Sequence, residues 1–304
     1  MIPAKVPTSE PNVPLIDELR KSPAVVLGGT GMVGRFLIGH LTDAGVEIIA
    51  STRQVLAPRA RVRWVTADYA ALRLGPTDSP RVAFNMGPIW ELPSALPALQ
   101  DAGVRRLVTL SSTSRFTKAA SPIKYEREVA GWLIEGEQKT QAYCELHQIA
   151  WTILRPTVIY AEGLDRSITR LANLIQKFRV LPVAGDALGR RQPVHADDLA
   201  LGAIAAAMSP AAENRAYDLP GGETLTYRAM CERIFEGMGY RPRVVPVPPL
   251  AWRIGMSGAS LFMPGITTAM GSRMAEDLVF DGTDAGRDFG WHPRGFRPVF
   301  KRAG

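Results

Sequence analysis

Short apolar runs alternate along this chain with longer stretches in which apolar residues recur every third or fourth position. Ala24-Val25-Val26-Leu27 is a continuous apolar run ending in glycines, the pattern of a strand buried on both faces. Val33, Leu37 and Leu41 follow at four-residue spacing, which predicts an amphipathic helix that Gly45 ends. Further strands are predicted over 46–50, 62–65, 82–86, 107–110 and 151–154, with a helix over 94–102. A long helix is predicted from Ser121-Pro122, a serine cap with proline in the first turn. Along it Val129, Leu133, Gly136, Thr140, Tyr143 and His147 recur at helical spacing. Strands alternating with helices predict an α/β fold, a doubly wound parallel sheet with right-handed crossovers.

After Tyr160 the order changes. A helix is predicted over 168–178, and a strand over 216–219 with a Pro220-Gly221-Gly222 turn. Thr226 can cap a helix ending near Gly239, and the proline-rich segment 244–249 leads into the last lobe. The chain therefore divides into a loose arm over 1–22, a dinucleotide-binding core over 23–160 and a small mixed C-terminal lobe over 161–304, with 190–220 returning to the core. The arm carries Pro3, Pro7, Pro11 and Pro14 and lacks the basic start and apolar run of a signal peptide.

Composition narrows the class. With 304 residues, 46% of them hydrophobic, the chain can bury a sizeable core and is not globally disordered. The net charge of +7 comes from arginines scattered singly or in short groups, which suits anionic small molecules or a solvated surface. No basic run interleaves with aromatics, so nucleic acid is not the expected partner. Cys144 and Cys231 form no Cys-x-x-Cys pattern, and the four histidines show no paired spacing. Neither a disulfide framework nor a metal site is expected, and a reducing cytoplasm is the default location. Residues 254–272 carry no charge over nearly a membrane-spanning length. They are rich in Gly, Ser, Thr and Pro, and read as buried or interfacial lobe structure rather than a span.

The chemistry concentrates at Gly28-Gly29-Thr30-Gly31-Met32-Val33-Gly34, between the first strand and its helix. Gly28 permits a tight turn, Gly31 lets backbone approach a pyrophosphate, and Gly34 lets helix and strand pack closely. The helix start through Thr30, Met32 and Val33 offers free N–H groups and a positive dipole end to phosphates. An acidic residue at the end of the second strand would bind the ribose 2′-hydroxyl of NAD. None occurs between Ile48 and Ala67, where Ser51, Thr52 and Arg53 stand instead. A guanidinium suits a 2′-phosphate, which favours NADP over NAD. Asp68 can accept from the adenine amino group. In Asn85-Met86-Gly87-Pro88, Met86 and Gly87 allow close approach to the cofactor riboses.

With these motifs in place, the chain resembles the extended short-chain dehydrogenase/reductase superfamily, its NAD-dependent epimerase/dehydratase class. The resemblance runs from Ala24 to Pro298. It is carried by the glycine loop, by Leu110-Ser111-Ser112-Thr113, and by Thr152-Ile153-Leu154-Arg155-Pro156 with Ile159-Tyr160. Gln192-Pro193-Val194-His195-Ala196-Asp197-Asp198-Leu199-Ala200 and Gly290-Trp291-His292-Pro293 add to it. It implies a Rossmann core with a small C-terminal substrate lobe. It also implies proton and hydride chemistry through a Ser or Thr, a Tyr, and a Lys four residues later.

Ser112 matches the family serine, and Ser111 beside it is assigned to the cofactor. No tyrosine here has a lysine four residues on. Counting back from Trp151, the pair is expected near Leu133 and Glu137. Tyr125, Lys124, Lys139 and Tyr143 are either stand-ins or packing and surface residues. Similar losses mark the superfamily's atypical branch, which includes dinucleotide-sensing regulators and an accessory subunit of respiratory complex I. In sugar-nucleotide epimerases the approach to the His195 segment carries an arginine to the substrate diphosphate, so Arg191 of Arg190-Arg191 is a candidate for that role or plain surface charge. His195-Ala196-Asp197-Asp198 reads as a structural turn whose aspartates favour a helix start, and Arg155 as a packing residue. Two functions stay open. One is an oxidoreductase or epimerase acting on a small carbonyl or nucleotide-sugar substrate. The other is a catalytically silent dinucleotide-binding accessory or sensor protein. Either is expected as a monomer or homodimer.

Overall fold

The structure, a computed structural model, describes residues 17, 19–75, 78–248, 250–252, 271 and 273–300. The uncharged stretch 254–272 lies outside the described residues except for Gly271, as does most of the N-terminal arm.

The apolar runs of the first half form β1 (Ala24–Leu27), β2 (Ile48–Thr52), β3 (Val62–Thr66), β4 (Val82–Asn85), β5 (Arg106–Leu110) and β6 (Ala150–Pro156). Between them lie helices α1 (Met32–Asp43), α2 (Leu96–Asp101), α3 (Ser114–Thr117) and α4 (Lys124–Leu146). The second half adds β7 (Ile159–Tyr160), α5 (Ile168–Phe178), β8 (Leu181–Ala184), β9 (Arg190–Arg191), β10 (Val194–His195) and α6 (Ala196–Met208). It continues through β11 (Arg215–Leu219), β12 (Leu225–Thr226), α7 (Tyr227–Gly237), β13 (Val244–Val247) and α8 (Thr283–Phe289).

Seven strands make one sheet in the order β11-β6-β5-β4-β1-β2-β3. The pairs β1–β2, β1–β4, β2–β3 and β4–β5 are parallel. The chain winds outward in one direction through β1, β2 and β3, then restarts on the other side of β1 at β4. That reversal is the doubly wound α/β arrangement the alternating pattern predicts, and it opens a crevice at the carboxyl ends of β1 and β4. Every residue of β1 is buried, and α1 buries Val33, Leu37, Ile38 and Leu41.

Several predicted elements shift. The second strand starts at Ile48 rather than Val46, because β1 pairs Ala24 with Ile48. Ser51 and Thr52 are thereby buried inside the strand, and Arg53 becomes the first residue beyond it. Helix α4 starts at Lys124, after Ser121 has used its hydroxyl to accept from the Ile123 N–H and to donate to Glu126. The proline-rich segment is itself a strand. β13 pairs in parallel with β8, with Pro246 opposite Val183 and Val245 opposite Pro182.

The chain forms two compact units. One comprises Met1–Ser111, Trp132–Ile153 and Ala200–Ala216, the other Ser112–Gly131, Leu154–Leu199 and Tyr217–Gly304. In the first, Arg106 is a buried charge at the start of β5. Its Nε donates to the Ala207 carbonyl, Nη1 to those of Leu107 and Ala150, and Nη2 to Ala206 O (2.7 Å) and Thr152 Oγ1 (2.6 Å). The second unit packs Tyr160, Ile175, Val183, Ile234, Phe235 and Phe296 into its own core. There the Asp165 carboxylate accepts from the N–H groups of Ser167, Ile168 and Thr169 to start α5, and Thr226 caps α7 through the Ala229 N–H. Trp291 donates its indole N–H to the Pro220 carbonyl at 3.0 Å.

Replacing Arg106 leaves several buried acceptors without a donor, a far larger loss than a surface arginine carries. Arg106→Ala is expected to lose about 3 kcal/mol of unfolding free energy in a urea titration, whereas Arg63→Ala on the exposed face of β3 should leave the midpoint nearly unchanged.

Candidate dinucleotide site

The site begins at the carboxyl end of β1. Gly28 has φ +71°, a conformation that side chains disfavour, and its carbonyl accepts the Gly31 N–H at 3.0 Å to close the turn. A Cβ on Gly28 would lie 2.6 Å from the Gly87 nitrogen, so the turn after β1 rests directly on the turn after β4. A Cβ on Gly34 would run into the Gly28 carbonyl oxygen, which fixes how closely α1 starts over the loop. At Gly31 a Cβ would be tight only against the Gly28 oxygen, at 3.1 Å. Gly31 is the N-cap of α1 and supplies no side-chain cap, and the first turn carries no acid. Among the described residues, no side-chain cap or first-turn acid compensates the N–H groups and positive end of that helix, the electrostatic condition for holding a phosphate. The side chain of Val33 is core, Met32 and Thr30 are half-buried, and the Thr30 carbonyl accepts from Arg35 Nε.

Strand register aligns the other candidates. Leu27 pairs with Asn85 and Asn85 with Thr109, so Gly28, Met86 and Leu110 leave the sheet side by side. Thr52 pairs with Thr66, which puts Arg53 and Asp68 at neighbouring strand ends, both exposed. Asp68 Oδ1 accepts the Ala71 N–H at 2.8 Å and so also shapes its own turn. Met86 is buried. The space that the missing side chain of Gly87 leaves is filled from within the protein by the Tyr69 hydroxyl, so this glycine has a partner that the motif did not suggest.

Ser111 donates its hydroxyl proton to Glu137 Oε1 at 2.5 Å, and Glu137 is almost wholly buried on α4. Leu133, one turn earlier, is buried as well. At the positions where counting placed the tyrosine and lysine, the helix thus turns inward a core leucine and a carboxylate tied to Ser111. The stand-ins lie elsewhere. Tyr125 is 64% exposed, Lys124 sits 3.6 Å from Glu128, Lys139 pairs with Glu135 at 2.6 Å, and Tyr143 donates to Gln100.

In the second unit, Ser112 Oγ accepts the Ser114 N–H at 3.1 Å as α3 begins. Arg191 is buried, and its guanidinium donates to the carbonyls of Arg190, Glu276 and Arg273. Burial holds its pKa below the usual arginine value. Arg190 is the exposed one of the pair and grips Asp277 at 2.7 Å. Asp197 and Asp198 do sit in the first turn of α6, and they also bind Arg294 at 2.6 and 2.7 Å, a partner nearly a hundred residues away. Arg155 lies against the Phe116 ring and 3.9 Å from Asp218. Among the described residues no group of three or more His, Cys, Asp or Glu could hold a metal ion, and no helix is long and apolar enough to cross a membrane.

His195 is held on both ring nitrogens. Nδ1 accepts the Asp197 N–H at 3.1 Å, so Nε2 donates to Glu162 Oε2 at 3.2 Å. Burial raises the Glu162 pKa, but this bond and the Val299 N–H outweigh it and leave the carboxyl below its ordinary value. A depressed folded pKa contributes stability that is present above the unfolded value, about 4.3, and is lost as pH falls through the folded one. Thermal scans from pH 6 downward are expected to show an acid-limb loss of stability that is shallower in Glu162→Gln; equal slopes for the two proteins would contradict this.

A parallel sheet that reverses at β1 and β4, with a glycine turn and helix start at that reversal, defines a Rossmann-type fold. The sequence pattern described as the NAD dependent epimerase/dehydratase family matches residues 94–219. The solved structure of epimerase Mth375 from Methanothermobacter thermautotrophicus superposes with a TM-score of 0.69 at 18% identity, covering 93% of this chain and 92% of that one. Among curated proteins, the chain is 25% identical over 275 residues to the mitochondrial NADH dehydrogenase [ubiquinone] 1 alpha subcomplex subunit 9 of Mus musculus, covering 80% of this chain and 69% of that protein. It is 24% identical over 236 residues to the uncharacterized oxidoreductase YesF of Bacillus subtilis, covering 75% and 76%. Residues 94–219 thus carry the pattern of the NAD-dependent epimerase/dehydratase family, and the solved epimerase structure shares the fold.

Proposed function

We propose that this protein binds NADP in preference to NAD and keeps it as a structural or sensing ligand, not as a substrate of Tyr–Lys proton chemistry. The observation that carries the reading is the contrast between the two halves of the site. The glycine turn, the open helix start and the exposed Arg53 are shaped for a phosphorylated dinucleotide. The helix that should supply a tyrosine and a lysine instead turns Leu133 and Glu137 inward, and Tyr143, Lys124 and Lys139 lie against other partners. The likeness to a named subunit of NADH dehydrogenase supports a cofactor-holding role within or beside a larger assembly. The two buried, unpaired thiols favour a reducing compartment such as the cytoplasm.

A second reading, an oxidoreductase or epimerase on a small carbonyl or nucleotide sugar, is favoured by the adjacent hydroxyls of Ser111 and Ser112 and by the likeness to an oxidoreductase. It takes Ser112 to polarise the substrate oxygen and Arg191 or Arg190 to meet a diphosphate. The two readings separate on one sample. Cofactor released by denaturing the purified protein is identified by mass, and the native protein is then followed at the nicotinamide absorbance with carbonyl and sugar-nucleotide substrates. Retained NADP with no absorbance change supports the first reading; turnover with any of them overturns it.

Two substitutions test the binding itself. Gly34→Ala collides with backbone and is expected to lower the melting temperature of the free protein. Gly31→Ala keeps that temperature within a few degrees but removes the rise that saturating NADP gives, worth about 2.7 kcal/mol at a hundred times Kd. Arg53→Ala is expected to weaken NADP about tenfold or more while leaving NAD unchanged, since it removes a charge-assisted contact to the 2′-phosphate alone. Calorimetric titration with both cofactors measures the ratio.

A further inference from the structure

Strands β3 and β4 are not neighbours in the sheet, since β2 and β1 lie between them. Three strand spacings separate them, about 14 Å. Yet Tyr69, three residues past the end of β3, donates its hydroxyl to Asn85 Oδ1 at the end of β4, at 2.6 Å. The Tyr69 segment therefore crosses the carboxyl ends of β2 and β1, the side of the sheet on which the glycine turn lies.

The hydroxyl is fixed at both of its surroundings. Asn85 is fully buried, and its Nδ2 donates to Thr109 Oγ1 at 3.0 Å, which orients the amide so that Oδ1 faces the phenol. A side chain at Gly87 would collide with the same hydroxyl. With its only proton given to Asn85, the phenol oxygen can offer lone pairs alone. Burial and the Glu91 carboxylate hold its pKa well above the ordinary tyrosine value against the pull of Arg53, so the phenol is neutral and does not repel a phosphate. The ring itself is half-buried, with Asp68 next to it in sequence and Arg53 within electrostatic reach.

We propose that Tyr69 positions the adenosine half of the dinucleotide: its ring supplies an aromatic seat beside Arg53, and its oxygen accepts a hydrogen bond from a ribose hydroxyl. This rests on the dinucleotide reading above. An aromatic face and one hydrogen bond are each worth about fivefold in affinity at such sites.

The test is calorimetric titration of wild type, Tyr69→Phe and Tyr69→Leu with NADP, NAD, ADP-ribose and nicotinamide mononucleotide. Tyr69→Leu is expected to weaken both dinucleotides and ADP-ribose about tenfold or more, and Tyr69→Phe severalfold, with nicotinamide mononucleotide unaffected by either. A loss shared equally by nicotinamide mononucleotide would mean general loosening of the fold and overturn the proposal. So would wild-type affinities in both variants, or tighter binding in Tyr69→Leu, which would make the ring an obstruction. If Tyr69→Leu does not fold, the near-isosteric Tyr69→Phe decides alone. Wild type that binds none of the dinucleotides would defeat the function proposed above, an outcome distinct from wild-type binding that the variants leave unchanged.

Discussion

Where β1 ends, the backbone of Gly28 lies against that of Met86 and Gly87 with no room for a side-chain atom between them. This contact is set by parallel pairing of Leu27 with Asn85, and it brings the first turn of α1 down onto the sheet. Gly34 meets the Gly28 carbonyl from the helix side, so the loop is pressed from two directions. A helix start positioned in this way turns its first N–H groups toward the crevice, with no side-chain cap among the described residues. The capacity to hold an anion is thus a by-product of close packing, and it does not depend on which residues later acquire or lose catalytic work.

Behind this surface the sheet ends on buried polar pairs. Asn85 and Thr109 are wholly buried and satisfied by each other, by Tyr69 and by the turn at Gly87. Ser111, just past the end of β5, forms a second pair with Glu137 on α4. Such groups cost desolvation energy unless every partner is in place, so they pin the turns they belong to. Rigidity at the strand ends is the property a ligand-holding site needs. The tie from Ser111 to Glu137 also explains how α4 can bury a carboxylate on the face it turns to the sheet.

Much of the fold was legible because it is written in local pattern. The run from Ala24 to Leu27 could only be a doubly buried strand, and Val33, Leu37 and Leu41 could only face a core. The glycine turn was legible for the same reason, since its spacing carries its mechanics. What was hidden depends on distant partners. Tyr69 reaches 16 residues to Asn85, Ser111 reaches 26 to Glu137, and Asp198 reaches 96 to Arg294. Nothing in the neighbouring sequence of any of these announces the other. The shift of β2 by two residues has a similar origin, because register is fixed by the strand alongside and not by the apolar run itself. Gly87 shows the limit of motif reading most directly: its spacing suggests room for a cofactor but gives no sign that the Tyr69 hydroxyl lies against it.

The pairing of β8 with β13 carries a consequence for the protein's behaviour in a crowded cell. A parallel pair of strands exposes backbone along its outer rims, a template on which foreign strands can add. Here each strand contains a proline, Pro182 in β8 and Pro246 in β13, which has no N–H to offer an incoming chain. The paired residue Val245 is apolar and nearly half exposed, the combination that invites such addition. With Pro182 and Pro246 lacking an N–H, and with the Ala184 N–H and the Val244 carbonyl engaged by Met274 and Arg228, this small sheet offers few backbone groups to an incoming strand.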